Sequence, residues 1–147
     1  PRIALLSDDM KSFAEEVKEL VILDENNEAL LAGDNKRRYF EGPWMHKYND
    51  RYYLSYSTGD THFLCYAIGD NPYGPFKFGG RILNPVVGWT SHHSIIEFEN
   101  KWYLFYFFFS LSKGVTHLRS IKMIEITYDE NGNINTLDPY GDLKILD

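Results

Sequence analysis

Glu41-Gly-Pro-Trp-Met-His-Lys-Tyr48, Asn49-Asp50 and Arg51-Tyr-Tyr-Leu-Ser-Tyr56 form one run. Fifty positions later its outline returns as Ser91-His-His-Ser-Ile-Ile-Glu-Phe98, Glu99-Asn100 and Lys101-Trp-Tyr-Leu-Phe-Tyr106. The offset is constant: Tyr48 falls on Phe98, Tyr53 on Tyr103, Leu54 on Leu104 and Tyr56 on Tyr106. Each copy reads as two strands joined by a two-residue turn, and Asn suits the positive φ such turns require. A period near fifty made of strands and turns indicates β-propeller blades. In a propeller the innermost strands begin at the central axis. In this register those starts carry Glu41 and the His92-His93 pair.

Outward from the repeat, residues 2–6 read as a strand and Ser7-Asp8-Asp9-Met10 as a turn or short helix start. Residues 13–23 fit helix or loop, and 24–38 a charged surface connection. Further strands are expected near 62–68, 116–126 and 142–146, with turn clusters at Pro72-Tyr-Gly-Pro75 and Asp129-Glu-Asn-Gly-Asn133. The expected fold class is all-β, with antiparallel blades near 41–80 and 91–135 inside one partial propeller domain over 1–147.

A closed ring needs about four to eight blades, and 147 residues at this period supply fewer than three. Bare sheet faces and edges are a liability, so the chain is expected to be about three blades of a longer protein. Aromatic residues make up 16% of the chain, with 11 Tyr and 10 Phe. That composition suits strands and also stacking on sugar rings. A net charge of −6 argues against a phosphate-binding, nucleic-acid surface. Nor does any apolar run approach the roughly 18 residues of a membrane span. The single cysteine, Cys65, allows no internal disulfide and reads as a buried small residue. The compartment is left open between secreted, periplasmic and cytoplasmic.

Glu41 is the first candidate for chemistry. At the rim of a blade a partly desolvated carboxyl gains the raised pKa a general acid needs; the plainer reading is a surface glutamate at a turn. His92 and His93 are strand neighbours, so their side chains face opposite ways and do not chelate one ion together. One is expected at the axis and the other inside the sheet. His62 opens the following strand and also reaches toward the axis. Trp89, in the loop ahead of His92, reads as a ligand-facing platform, Trp44 as a second one, and Trp102 as core. Arg119 lies in an apolar stretch, and a buried charge there needs a carboxylate or a substrate. Glu41, His62, His92 and Arg119 are expected to converge at one end of the blades.

Taken in order, Glu41-Gly-Pro-Trp-Met-His-Lys-Tyr, Tyr52-Tyr-Leu-Ser-Tyr-Ser-Thr-Gly, Asp70-Asn-Pro-Tyr-Gly-Pro-Phe, His92-His-Ser-Ile-Ile-Glu-Phe, Lys101-Trp-Tyr-Leu-Phe-Tyr and Arg119-Ser resemble glycoside hydrolase family 43. The resemblance implies a five-bladed propeller that hydrolyses arabinose- or xylose-containing plant polysaccharides with inversion. It makes Glu41 the general acid and places the base and a second, tuning Asp in blades that precede this chain. Asp8 and Asp9 then fall on the exit turn of the second blade. His92 takes the position near a central metal, commonly calcium, and Arg119 one near the sugar; Trp44, His62 and Trp89, read from their own positions and not from the resemblance, are expected as further substrate contacts. Two positions depart from the family pattern. Ser91 stands where Gly is common, and Phe107-Phe108-Phe109 follow Tyr106 where His-Asp is frequent, so phenyl rings replace polar groups. A non-catalytic glycan-binding propeller piece and a purely structural interaction domain remain the alternatives. On the first reading this chain alone is inactive, because it supplies the acid without the base.

Overall fold

A computed structural model describes residues 1–89 and 91–141. Along them run β1 (Arg2–Ile3), β2 (Lys18–Glu19), β3 (Ile22–Leu23), β4 (Glu41–Tyr48), β5 (Arg51–Ser57), β6 (Leu64–Gly69), β7 (Phe76–Leu83), β8 (His93–Phe98), β9 (Lys101–Phe108) and β10 (Ser120–Ile126). The protein is all-β. Among the described residues the only helical element is a single 3-10 turn at Ser110–Ser112. The expected strand near 142–146 lies outside the described residues.

The repeat is built from two superimposable hairpins. Strands β4 and β5 pair from Tyr48↔Arg51 to Trp44↔Ser55, and β8 and β9 pair from Phe98↔Lys101 to Ser94↔Phe105, the same register displaced by fifty. Both turns use two left-handed residues: Asn49 and Asp50 at φ 45 and 59, Glu99 and Asn100 at φ 51 and 61. These turns match the right-handed twist of their strands. The first hairpin grows into a blade of order β3-β7-β6-β5-β4, antiparallel except for β3 beside β7, and the second into the sheet β10-β9-β8. Strands β4 and β8 lie side by side as the innermost strand of each blade.

Two features depart from the sequence reading. Residues 13–23 hold β2 and β3 rather than a helix, because Leu20 and Ile22 are buried while Glu19 and Val21 are exposed; that alternation has a period of two. Strand β7 was not among the expected strands, and it contains the pair Gly79-Gly80. Its glycines serve packing: a Cβ on Gly79 would collide with the ring of buried Tyr66.

Two apolar layers flank the first blade. One, between the blades, joins Tyr53, Tyr66 and Ile82 to Ile95, Leu104, Tyr106 and Phe109. The other sets Leu54, Tyr56, Cys65 and Phe76 against Leu20 and Ile22 of the N-terminal segment. Burying a large side chain of this kind contributes about 1.5–3 kcal/mol, so the blade faces carry the fold. Cys65 is fully buried, and desolvation pushes its thiol up to about 12. It acts as an inert core residue.

Candidate active site

The register puts several chain crossings at one end of the blades. Glu41 opens β4 opposite Ser57, where β5 ends, and Ser57 faces Leu64, where β6 begins. In the second blade the same end holds His93 opposite Tyr106, and Phe108 opposite Ser120. The loops entering β6, β8 and β10, which carry His62, Trp89 and Arg119, therefore open on this rim too.

Glu41 is set by a local irregularity. The pairing of β4 slips between Glu41 and Trp44, and Gly42 takes φ +65. A bulge of this kind turns the strand and re-aims the side chain at its end. Glu41 Oε2 lies 3.6 Å from His92 Nε2, with both side chains partly exposed. The carboxylate also reaches Tyr39, whose phenol is raised first by burial and then by the charge of Glu41. His92 sits in turn beside Phe107, with ring centroids 6.3 Å apart. The Arg119 guanidinium lies 4.9 Å over that same Phe107 ring. Glu41, His92 and Arg119 thus form one contact chain through Phe107.

His62 and Trp89 meet each other across the rim, edge to face at 5.0 Å. His62 holds a left-handed backbone at φ 58, and its Nδ1 is buried with no hydrogen-bond partner. Trp89 is 44% exposed, so a broad aromatic face is open to solvent beside a polar ring.

Two residues are placed differently from the expectation. Arg119 is exposed rather than buried. Its Nε donates to the Thr116 carbonyl at 3.0 Å, and among the described residues it makes no ion pair. The reason is that Arg119 sits in the turn before β10, an outer strand whose alternate positions Ile121, Met123 and Glu125 are themselves exposed. Trp44 lies three residues inside β4, half-buried against the core between the blades, and its Nε1 donates to the Ile95 carbonyl of β8 at 2.9 Å. The structure does not bring it into the Glu41–His92 group.

The His pair divides as strand geometry requires. His93 turns inward and hydrogen-bonds Ser55 Oγ through Nε2 at 2.6 Å, leaving its buried Nδ1 without a partner. Burial pushes its pKa down to about 3, with the His46 and His92 rings adding to the effect. His93 is therefore a neutral hydrogen-bonding group. Ser55 and Ser57, both buried, were missed from the sequence. Ser57 Oγ donates to the Ser91 carbonyl at 2.6 Å. Their signal was present as two hydroxyls at alternate positions of an otherwise apolar strand, pointing to one face.

A calcium ion takes six to eight oxygen ligands. The described residues around His92 offer one imidazole nitrogen and the Glu41 carboxylate, and no group of three or more His, Cys, Asp or Glu among the described residues could hold a metal. The residues present do not by themselves fit calcium.

No family model matches the chain. Individual proteins match it closely. It is 63% identical over 140 residues to xylosidase/arabinosidase 43A of Humicola insolens, covering 95% of this chain and 43% of that protein. A xylosidase/arabinosidase of Bacteroides ovatus is 61% identical over 137 residues, with 93% and 42% covered. Among solved structures, a family 43 β-xylosidase/α-arabinofuranosidase from a compost microbial metagenome, in complex with xylotriose and calcium-free, superposes with a TM-score of 0.94 at 64% identity. That superposition covers 97% of this chain and 43% of the other. The chain thus spans less than half the length of the proteins it matches. No helix of the described residues is long and apolar enough to cross a membrane. With nearly its whole length aligned at this identity and its two blades superposed, the chain belongs to glycoside hydrolase family 43.

Proposed function

We propose that the protein carrying this chain hydrolyses O-glycosidic bonds of arabinose- or xylose-containing plant polysaccharides by inversion, with Glu41 as general acid. The observation that carries this reading is Glu41 itself. It is a carboxyl set by a bulge at the start of an innermost strand, 3.6 Å from His92, in a chain aligned along nearly its whole length with xylosidase/arabinosidases. A general acid protonates the leaving oxygen, and inversion needs a second carboxylate about 6.5–9.5 Å away to activate water. In this chain Asp9 is tied into its own turn by the Ser7 hydroxyl and the Lys11 N–H, which lower its pKa and weaken it as a base. The base is therefore assigned to the part of the protein outside this partial propeller domain. His62, Trp89 and Arg119 serve as sugar contacts: an aromatic face to stack on, and donors for hydroxyls. His92 is the one nitrogen this chain offers toward a central calcium, whose oxygens must come from elsewhere.

The test is turnover of aryl arabinofuranosides and xylosides by this chain and by the full-length protein, each with Glu41→Gln. The full-length protein should be active and should lose about 10²–10⁴-fold with Glu41→Gln, while the chain alone should be silent. Glu41-dependent turnover by the chain alone would place the base within it. An active protein indifferent to Glu41→Gln would remove Glu41 from the reaction. Binding of xylo-oligosaccharides without any turnover would favour a glycan-binding module, which the exposed Trp89 also suits.

A further inference from the structure

We propose that Phe107 is a positioning residue: it holds the His92 imidazole against the bare backbone of Gly42 and so fixes His92 Nε2 beside the Glu41 carboxylate. The Glu41–His92 approach of 3.6 Å is longer than a hydrogen bond. It cannot by itself hold a side chain that is 49% exposed, and an unrestrained ring would sample several rotamers. Packing does the holding. On one side is Gly42, so close that a Cβ there would stand 3.2 Å from His92 Cδ2, 3.4 Å from Cγ and 3.6 Å from Nε2. Near parallel to the imidazole stands the Phe107 ring, 6.3 Å away and inclined by 23°, within the range of offset aromatic packing.

The Phe107 backbone is itself anchored. Its N–H donates to Ser91 Oγ at 2.8 Å, and the same hydroxyl donates back to the Phe107 carbonyl at 3.0 Å. The Ser91 carbonyl in turn accepts from Ser57 Oγ of the first blade at 2.6 Å. The clamp is therefore tied to both blades, and the Arg119 guanidinium weights the Phe107 ring from the rim. A flat ring is what the arrangement uses; a branched aliphatic of similar volume fills space without presenting a plane.

The catalytic consequence rests on the hydrolase reading, whereas the clamp itself does not, and the experiment separates them. In proton NMR of this chain, the Gly42 Hα–His92 Hδ2 NOE should be strong. It should be lost in Phe107→Leu and kept in Phe107→Tyr, with a dispersed amide spectrum reporting the fold in each. An NOE of undiminished strength in Phe107→Leu overturns the clamp. Should that variant fail to fold, Gly42→Ala decides: its new methyl must move both rings, and a shift of His92 without any shift of Phe107 overturns the clamp equally. In the full-length protein Phe107→Leu should lower kcat about tenfold with KM unchanged, since misplacing a group at the reacting centre costs rate, and Phe107→Tyr should restore it. Loss of the NOE with kcat intact overturns the positioning role. A full-length protein without turnover, its NOE pattern as expected, sinks the hydrolase reading and leaves the clamp standing.

Discussion

Acid should destabilise this protein through its buried histidines, and at His46 the structure sets the size of the effect. His46 is 8% exposed, stacked on Tyr53 at 5.0 Å and tilted against Trp102 at 5.1 Å. Its Nε2 shares a 2.8 Å hydrogen bond with the Tyr128 hydroxyl, and its buried Nδ1 has no hydrogen-bond partner. A proton there would place a charge among aromatic rings with nothing to receive the second N–H. Burial accordingly takes its pKa from 6.5 down to about 4. Unfolded, the same ring binds a proton near its ordinary value. Below pH 6.5 the unfolded chain thus holds more protons than the folded one, and stability falls as pH drops, levelling below about 4. Each tenfold change in proton affinity is about 1.4 kcal/mol, so the full window is worth roughly 3 kcal/mol. Urea unfolding at pH 7.5 and pH 4 should show the wild type losing about 3 kcal/mol more than His46→Gln, whose amide keeps a partner for Tyr128 without titrating. His93, pushed down to about 3, titrates in both proteins and largely cancels in the comparison. Parallel pH dependences for wild type and His46→Gln would refute the assignment.

Two further outcomes follow from the contacts between and within the blades. Trp44→Phe removes the donor to the Ile95 carbonyl and should cost about 1–2 kcal/mol in thermal unfolding while leaving xylo-oligosaccharide affinity unchanged; Trp89→Ala should do the reverse, and isothermal titration beside a melting curve distinguishes them. The Tyr53 hydroxyl, fully buried, donates to the Gly132 carbonyl at 2.6 Å, so Tyr53→Phe strands that acceptor and should lower urea stability by about 1–3 kcal/mol.

The backbone was legible wherever a local rule governed it. The two hairpins, their two-residue turns and their common register follow from alternation and from Asn at left-handed positions. What resisted reading was decided by contacts distant in sequence. Strand β7 was not expected, and its Gly-Gly pair finds its reason only in the Tyr66 ring packed over it. Arg119 looked buried because its neighbours are apolar, yet it precedes an outer strand on which even Ile121 and Met123 are exposed. At the rim, Glu41 and His92 were expected to converge; how closely they approach follows from β4 lying beside β8, a contact that no spacing within either copy encodes. Ser55 and Ser57 were visible as residues but not as partners, since what they grip, His93 and Ser91, belongs to the next blade.

Those serines show how a repeat yields a site. Shifted by fifty, Ser55 and Ser57 become Phe105 and Phe107, while Glu41 and Gly42 become Ser91 and His92. The backbone is shared; the side chains diverge where the blades meet the rim. On the first blade the face toward its neighbour carries hydroxyls, and these hold the segment that delivers His92. On the second blade the same backbone positions carry phenyl rings, and one of them packs on His92. His92 therefore rests on Gly42, its own counterpart one blade earlier, a position that must lack a side chain for the ring to fit. Had the two copies stayed alike, no imidazole would meet both a carboxylate and a bare glycine backbone across the neighbouring strand. The repeat provides equivalent strand starts, and the departure from it at positions 41, 42, 91 and 92 puts a carboxylate and an imidazole within 3.6 Å at one of them.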